Sequence, residues 1–264
     1  MIGAIAGDIA GSRFEFANRK SKDFTLFAPG CRPTDDTCMT LAIGRALLET
    51  QDPAALPAAA VHQMQTYGRR YPQAGYGARF LSWIFSDDPQ PYQSFGNGAA
   101  MRISAVGDLA PDAQTAAAWA NAVTAVTHNH PAALRAAEAV AVSMVWLRQG
   151  CTLAQLRGRV CDRWHYALDF TLDEIRPAYH FDVSCQGSVP QAFTALLEST
   201  GFEDALRCAI SIGGDSDTIA AITGAMAACH YGVPEEIRAR ALAYLPPEEQ
   251  ALIAKIDGPT AAQK

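Results

Sequence analysis

Six oxygen donors stand in two short runs of this chain. Thr34, Asp35 and Asp36 open "TDDTCMTLAIGRAL", and Asp215, Asp217 and Thr218 open "GGDSDTIAAITGAMAA". Acids in a first helical turn complement the helix macrodipole, and Thr34 after Pro33 is a good N-cap, so one such pair needs no further explanation. The same arrangement returning about 180 residues later does need one. No Lys or Arg lies within Thr34–Thr37 or Gly213–Thr218 to offset the acids. Four carboxylates brought to one locus repel one another unless a cation binds between them. Carboxylate and hydroxyl oxygens suit Mg²⁺ or Mn²⁺, and the absence of Cys and His from the set disfavours zinc. Four acids suffice for two divalent metal ions, which could hold a substrate's hydroxyls and a water together.

Helices must position these donors. Apolar Met39, Ile43, Ala46 and Leu47 recur at helical spacing behind the first acidic pair. Comparable patterns cover 2–11, 56–71, 78–85, 112–126, 131–148, 153–164, 190–198, 202–212, 218–231 and 248–256. Two of these runs open on a proline, Pro131 and Pro190, read as first helical residues. Alternating strand-like runs with hairpin turns are absent from the sequence. The pattern predicts an all-α fold of about ten helices: a single compact, orthogonal multi-helix domain over 1–264 with a central two-metal site. The small residues of "GAIAGDIAG" and "IAAITGAMAA" predict closely approaching helices in the middle of the bundle, which places the acids near its centre. The irregular stretch Asn18–Arg32 reads as either a lid or an ordinary surface loop.

The chain has 264 residues, 49% of them apolar, enough for one sizeable core. A net charge of −6 argues against general nucleic-acid binding. Seven scattered cysteines with no Cys-x-x-Cys pair read as reduced thiols. The start "MIGAIAGDIAGSRFEF" lacks signal-peptide character, and no uncharged run approaches membrane-spanning length, so a cytoplasmic location and no membrane association are expected, with a monomer as the default.

Five blocks, in order, then become recognisable: "GAIAGDIAGSRFE", "TDDTCMTLAIGRAL", "GNGAAMRISAVG", "THNHPAALRAAEAVA" and "IGGDSDTIAAITGAMAACHYG". Spanning residues 3–232, they resemble the ADP-ribosylglycohydrolase family, which includes dinitrogenase-reductase-activating glycohydrolases and ADP-ribosyl-acceptor hydrolases. The resemblance implies an all-α fold with a two-metal centre. It places metal ligands on Thr34, Asp35, Asp36, Asp215, Asp217 and Thr218, and a water-orienting or outer carboxylate on Glu15. Asp8 falls at a helix end or behind the ligands. The turn Gly96-Asn97-Gly98 corresponds to the loop that approaches ADP-ribose, where glycines let backbone N–H groups come close. His128 matches a position beside the bound nucleotide, while His130 reads as packed or capping. Arg102 either pairs with a phosphate or ties down the acids. Phe95 and Tyr231 are candidate stacking partners for adenine, with a core role the stronger reading.

The implied reaction is metal-dependent hydrolysis of the C1″ glycosidic bond of an ADP-ribosyl group, on a protein side chain or in O-acyl-ADP-ribose. Asp36, Asp215 or Glu15 would accept the water's proton; the residues alone do not choose among them. Some family members carry an acid just before the Gly-Asn-Gly turn. Here Gln93, Ser94 and Phe95 stand there, which puts arginine-linked substrates in question. The rival readings are a two-metal hydrolase of another nucleoside or phosphoester, and a non-catalytic ADP-ribose-binding module.

Overall fold

A computed structural model describes residues 1–258; the last six residues of the expected 1–264 domain lie outside the described residues. Fifteen α-helices and one 3₁₀ turn make up the regular structure of the described residues, and the only strand-like pairing there is an isolated bridge between Gly96 and Ser184. In chain order the helices are α1 Ile2–Gly11, α2 Asp35–Glu49, α3 Leu56–Arg70, α4 Ala78–Ile84, α5 Gly98–Met101, α6 Ser104–Leu109, α7 Ala113–Ala125 and α8 Pro131–Arg148. They continue as α9 Leu153–Trp164, α10 Leu172–Ile175, α11 Cys185–Leu197, α12 Phe202–Ser211, α13 Ser216–Tyr231, α14 Glu235–Leu242 and α15 Pro247–Asp257. The all-α expectation holds. No helix among the described residues is long and apolar enough to cross a membrane.

The fold is built around the pair α1 and α13, which make the most extensive helix–helix contact in the molecule. Every residue of α1 is buried, as is α13 from Ser216 to Ala227. Glycines at every fourth position of α1 explain how closely the two lie. A Cβ on Gly3 would stand 2.3 Å from the Gly224 carbonyl oxygen, one on Gly7 2.1 Å from that of Ala220, and one on Gly11 2.6 Å from the Asp217 Cα. The last contact brings the end of α1 against the second acidic run. α8, α11 and α12 pack on the other sides of α13, and α2 packs on α1 and α3.

The expected helix from Pro190 begins five residues earlier, at Cys185, with Pro190 inside it. The Ser184 hydroxyl caps the true start by accepting the Gly187 N–H at 3.0 Å, and the proline ring falls in the second turn rather than the first. Four short helices, α5, α6, α10 and α14, had no predicted counterpart; α5 and α10, four residues each, are too short for a periodic signal. The stretch Asn18–Arg32 is tied down at several points. Arg207 donates to the Lys22 and Phe24 carbonyls, Arg240 to that of Phe27, and Lys20 to that of Tyr179. That pattern fits the surface-loop reading.

Candidate active site

The N-terminus of α2 is shaped by an acid from α1. Asp8, wholly buried, accepts the Thr34 hydroxyl at 2.7 Å through Oδ1. Its Oδ2 accepts the backbone N–H groups of Thr34 and Thr37, each at 3.0 Å, and the Thr37 hydroxyl. Burial pushes the Asp8 carboxyl up, while these four donors oppose that and hold it as an acceptor. Thr34 caps α2 in turn, its hydroxyl accepting the Asp36 N–H at 3.2 Å. With α2 fixed in this way, Asp35 and Asp36 project from its first turn.

The second acidic run is turned toward the first by Gly213 and Gly214. Both hold positive φ (72° and 74°), a conformation natural to glycine. Asn18 clamps this turn: its Oδ1 accepts the Gly214 N–H at 2.8 Å and its Nδ2 donates to the Gly214 carbonyl at 3.0 Å. The same Nδ2 donates to the Glu15 carbonyl at 2.9 Å, so one side chain ties Glu15 to the Asp215 run.

The two runs meet. The Thr218 hydroxyl donates to Asp36 Oδ2 at 3.2 Å, and the Asp36 Oδ1 is buried without a hydrogen-bond partner. Carboxylate oxygens of Glu15, Asp215 and Asp217 all lie within 4.8 Å of one another. Asp215 Oδ2 accepts from the Asn97 side chain at 2.7 Å, which links the acids to the Gly-Asn-Gly turn. That turn is anchored by the Asn97 N–H on the Val183 carbonyl at 2.8 Å and the Cys185 N–H on the Phe95 carbonyl at 2.9 Å.

Burial, reinforced by neighbouring acids, raises the proton affinity of the cluster. Asp36 is pushed well above the usual carboxylate range by burial and by Asp8, and Asp217 by burial and by Asp36. Asp35 rises to about 7 through burial and the charge of Asp8, and half-buried Glu15 to about 7 through burial and the charge of Asp215. Burial also raises Asp215. Carboxylates in such surroundings need either protons or a cation. An all-oxygen donor set with an orphaned buried oxygen fits a hard divalent cation and does not fit zinc.

These acids open into a cavity of about 530 Å³. Glu15, Asp35, Asp36, Asp215, Asp217 and Thr218 form one part of its wall; Gly96, Asn97, Gly98, Arg102 and His128 form another. Thr34 is the one expected site residue outside the lining, its hydroxyl being occupied by Asp8 and the Asp36 N–H. Arg102, 1% exposed, makes no hydrogen bond to the acids among the described residues: it donates to Thr127 at 2.7 Å and lies over the Phe80 ring. His130 caps α8, accepting the Ala132 N–H. Phe95 is exposed, edge-on to His130, and Tyr231 bonds to Ser199 at a different cavity, so neither lines this one.

Sequence reasoning missed Phe16 and Phe181. They stack at 5.9 Å between centroids, lie 82% and 43% exposed, and line the cavity mouth. Two exposed stacked aromatics at a rim form a surface suited to a flat ring. Their positions, 165 residues apart in loops, carried no periodic or motif signal. Tyr92 and Arg79, the latter over the Tyr92 ring, also line the wall unforeseen.

Buried acids that cannot all ionise without a counter-cation thus share one cavity with a glycine turn, in an all-α frame. A solved structure titled "ADP-ribosylglycohydrolase-related protein complex" shares this fold, with a TM-score of 0.64 at 23% identity over 97% of this chain and 96% of that one. The family model described as ADP-ribosylglycohydrolase matches residues 1–257, and the chain belongs to that family; it is a glycohydrolase.

Proposed function

We propose that this glycohydrolase cleaves the C1″ glycosidic bond of ADP-ribosyl groups, carried on protein side chains or present as O-acyl-ADP-ribose. Two divalent cations, Mg²⁺ or Mn²⁺, would be held by Asp35, Asp36, Asp215, Asp217 and Thr218, with Thr34 fixing the first pair and Glu15 beside them as a water-orienting carboxylate. The observation that carries this reading is the meeting of the two acidic runs, with Glu15, in the cavity that the Gly96–Gly98 turn also lines. Bound there, the cations supply positive charge that lowers the pKa of a water and orients the ribose hydroxyls.

The chain's own residues divide the remaining work. Glu15 suits the role of proton acceptor better than Asp36 or Asp215. Asp215 is held by Asn97 and Asp36 by Thr218, whereas among the described residues the Glu15 carboxylate has no hydrogen-bond donor, and it is the most exposed of the three. A carboxylate free of hydrogen-bond donors and facing the cavity is matched to taking a proton from water. The Gly96–Gly98 turn and His128 line the wall for the diphosphate or distal ribose, and the Phe16–Phe181 rim offers a face for adenine. Departure of the acceptor from C1″ passes through an oxocarbenium-like state, which nearby carboxylates favour electrostatically.

A substrate panel tests the reading: arginine-, serine- and DNA-linked ADP-ribose, and O-acetyl-ADP-ribose, each with Mg²⁺ and with Mn²⁺. Metal-dependent release of ADP-ribose from at least one member is expected. Tight ADP-ribose binding with no turnover on any member would reject the proposed substrate class, as would turnover only of unrelated phosphoesters.

A further inference from the structure

His128 is held by a relay that leaves only one arrangement of protons. The turn after α7 places Thr127 and His128 side by side, with the Thr127 and His128 N–H groups both on the Thr124 carbonyl, at 3.2 and 2.9 Å. Arg102 Nη2 donates to the Thr127 hydroxyl oxygen at 2.7 Å. That oxygen stands 2.7 Å from His128 Nδ1. A guanidinium only donates, so the hydroxyl must accept from it and has its single hydrogen free for another partner. Within this wholly buried pocket that partner is Nδ1.

The opposite arrangement fails twice. A hydrogen on Nδ1 would aim at the Thr127 oxygen and strand the hydroxyl hydrogen in a buried site, where an unmet donor is costly. It would also stand near the Arg102 Nη2, only 3.5 Å from Nδ1, setting donor against donor. Burial and the Arg102 charge hold His128 well below its ordinary pKa, so the ring is neutral and carries one proton. That proton belongs on Nε2. A Cβ added to Gly98 would lie 3.2 Å from Nε2 and one added to Gly96 3.5 Å from it, so Nε2 faces the glycine turn at the cavity wall. Among the described residues no acceptor meets it.

We propose that Arg102 and Thr127 are positioning residues that lock His128 as its Nε2–H tautomer, so that the wall beside the glycine turn presents a fixed N–H donor to an acceptor oxygen of the substrate. The substrate half rests on the function proposed above; the tautomer half stands without it. The buried arginine thereby acts on the ligand through two intervening side chains. It also gives the glycine turn a chemical preference, since the space left by two absent side chains is bordered by a donor and favours a phosphoryl or ribose oxygen over a donor group.

Long-range ¹H–¹⁵N NMR of the full chain, free of ligand, reads the tautomer directly, with His128 identified among the six histidines by loss of its signals in His128→Gln. The wild type should show a protonated Nε2 and an unprotonated Nδ1. Thr127→Val removes the relay hydroxyl while keeping the shape, so Nδ1 loses its hydrogen-bond donor, and the Nδ1 ¹⁵N signal should move downfield toward that of an unbonded ring nitrogen. It should also weaken ADP-ribose binding by about tenfold, the usual scale of one lost hydrogen bond. Thr127→Ser should restore both, which repair of packing alone would not do for the nitrogen signal. An Nδ1–H ring in the wild type overturns the proposal, and this arm survives if Thr127→Val fails to fold. An unchanged Nδ1 signal in Thr127→Val overturns the relay. A changed signal with unchanged affinity overturns the substrate half. If ADP-ribose does not bind the wild type at all, the function proposed above fails, while the NMR result still decides the relay.

Discussion

Asp36 and Asp217 carry the clearest residue-scale consequences. Each is at least 97% buried beside other acids. Asn keeps the size of either side chain but is a poor ligand for a hard cation. Asp36→Asn and Asp217→Asn should each lower turnover by at least about a hundredfold, a loss seen even when only the groups around a metal are disturbed. Both proteins should remain folded, and without metal each should gain on the order of 1 kcal/mol in stability, because the cost of burying an acid among other acids, met by charge repulsion or by proton uptake, is gone. Steady-state kinetics and metal-free melting check the two halves separately; full turnover in both variants would make the acids mere helix caps. The pH dependence of the metal-free chain follows from the same crowding. Asp35 and Glu15 keep their protons up to about 7 in the folded state, whereas the unfolded chain loses them in the ordinary carboxylate range. The folded state therefore binds more protons over that window, and its stability falls as pH rises from about 4 to about 7. Melting in chelator between pH 5 and pH 8 should show a decline; a rise would contradict the cause assigned to the raised carboxyls.

At the scale of elements, the site depends on how closely α1 approaches α13. Gly7 lies where a methyl group would meet the Ala220 carbonyl oxygen at 2.1 Å, with backbone on both sides and no flexible side chain to yield. Gly7→Ala should cost about 2–3 kcal/mol or more, in the manner of an overpacked core, and should reduce activity by shifting Asp217 relative to Glu15. Denaturant unfolding measures the first effect; a change below 0.5 kcal/mol, the ordinary range for surface sites, would mean the helices separate easily. The Gly96–Gly98 turn is the second critical element. Gly98→Val directs a branched side chain at His128 Nε2, filling the approach to the turn. ADP-ribose affinity should fall by about tenfold or more, with a small change in melting temperature. Unchanged affinity by titration calorimetry would leave the turn with a structural role only.

For the molecule as a whole, binding and folding are linked. The proposed ligands come from the start of α2 and the start of α13, about 180 residues apart, so the acids come together only in the folded chain. Cation binding to that state alone should stabilise it by roughly 2–4 kcal/mol at saturating Mg²⁺ or Mn²⁺. The melting temperature should rise with metal in the wild type, and the rise should be blunted in Asp36→Asn and Asp217→Asn. An unchanged wild-type melting temperature would remove the metal centre from the proposal.

Much of this architecture was legible because helix signals are local. The 3.6-residue pattern behind Asp35 and the small-residue run behind Asp217 identified α2, α13 and their acidic first turns without any tertiary information. The glycines of α1 likewise announced a close helix contact, since only a missing side chain permits one. Local patterns did not reveal partners distant in sequence. That Asp8 clamps α2, that Asn18 joins Glu15 to the Asp215 turn, and that Phe16 stacks on Phe181 all depend on how loops and helix ends meet. The same holds for Arg102: its sequence neighbours suggested a phosphate or the acids, but packing put Thr127 and His128 within its reach. The sequence determined which residues could do chemistry, because residue type and helical register are properties of short segments. Tertiary structure alone decided which hydroxyl is occupied, which carboxylate is left free and which nitrogen faces the cavity, because each of those depends on a neighbour supplied by another part of the chain.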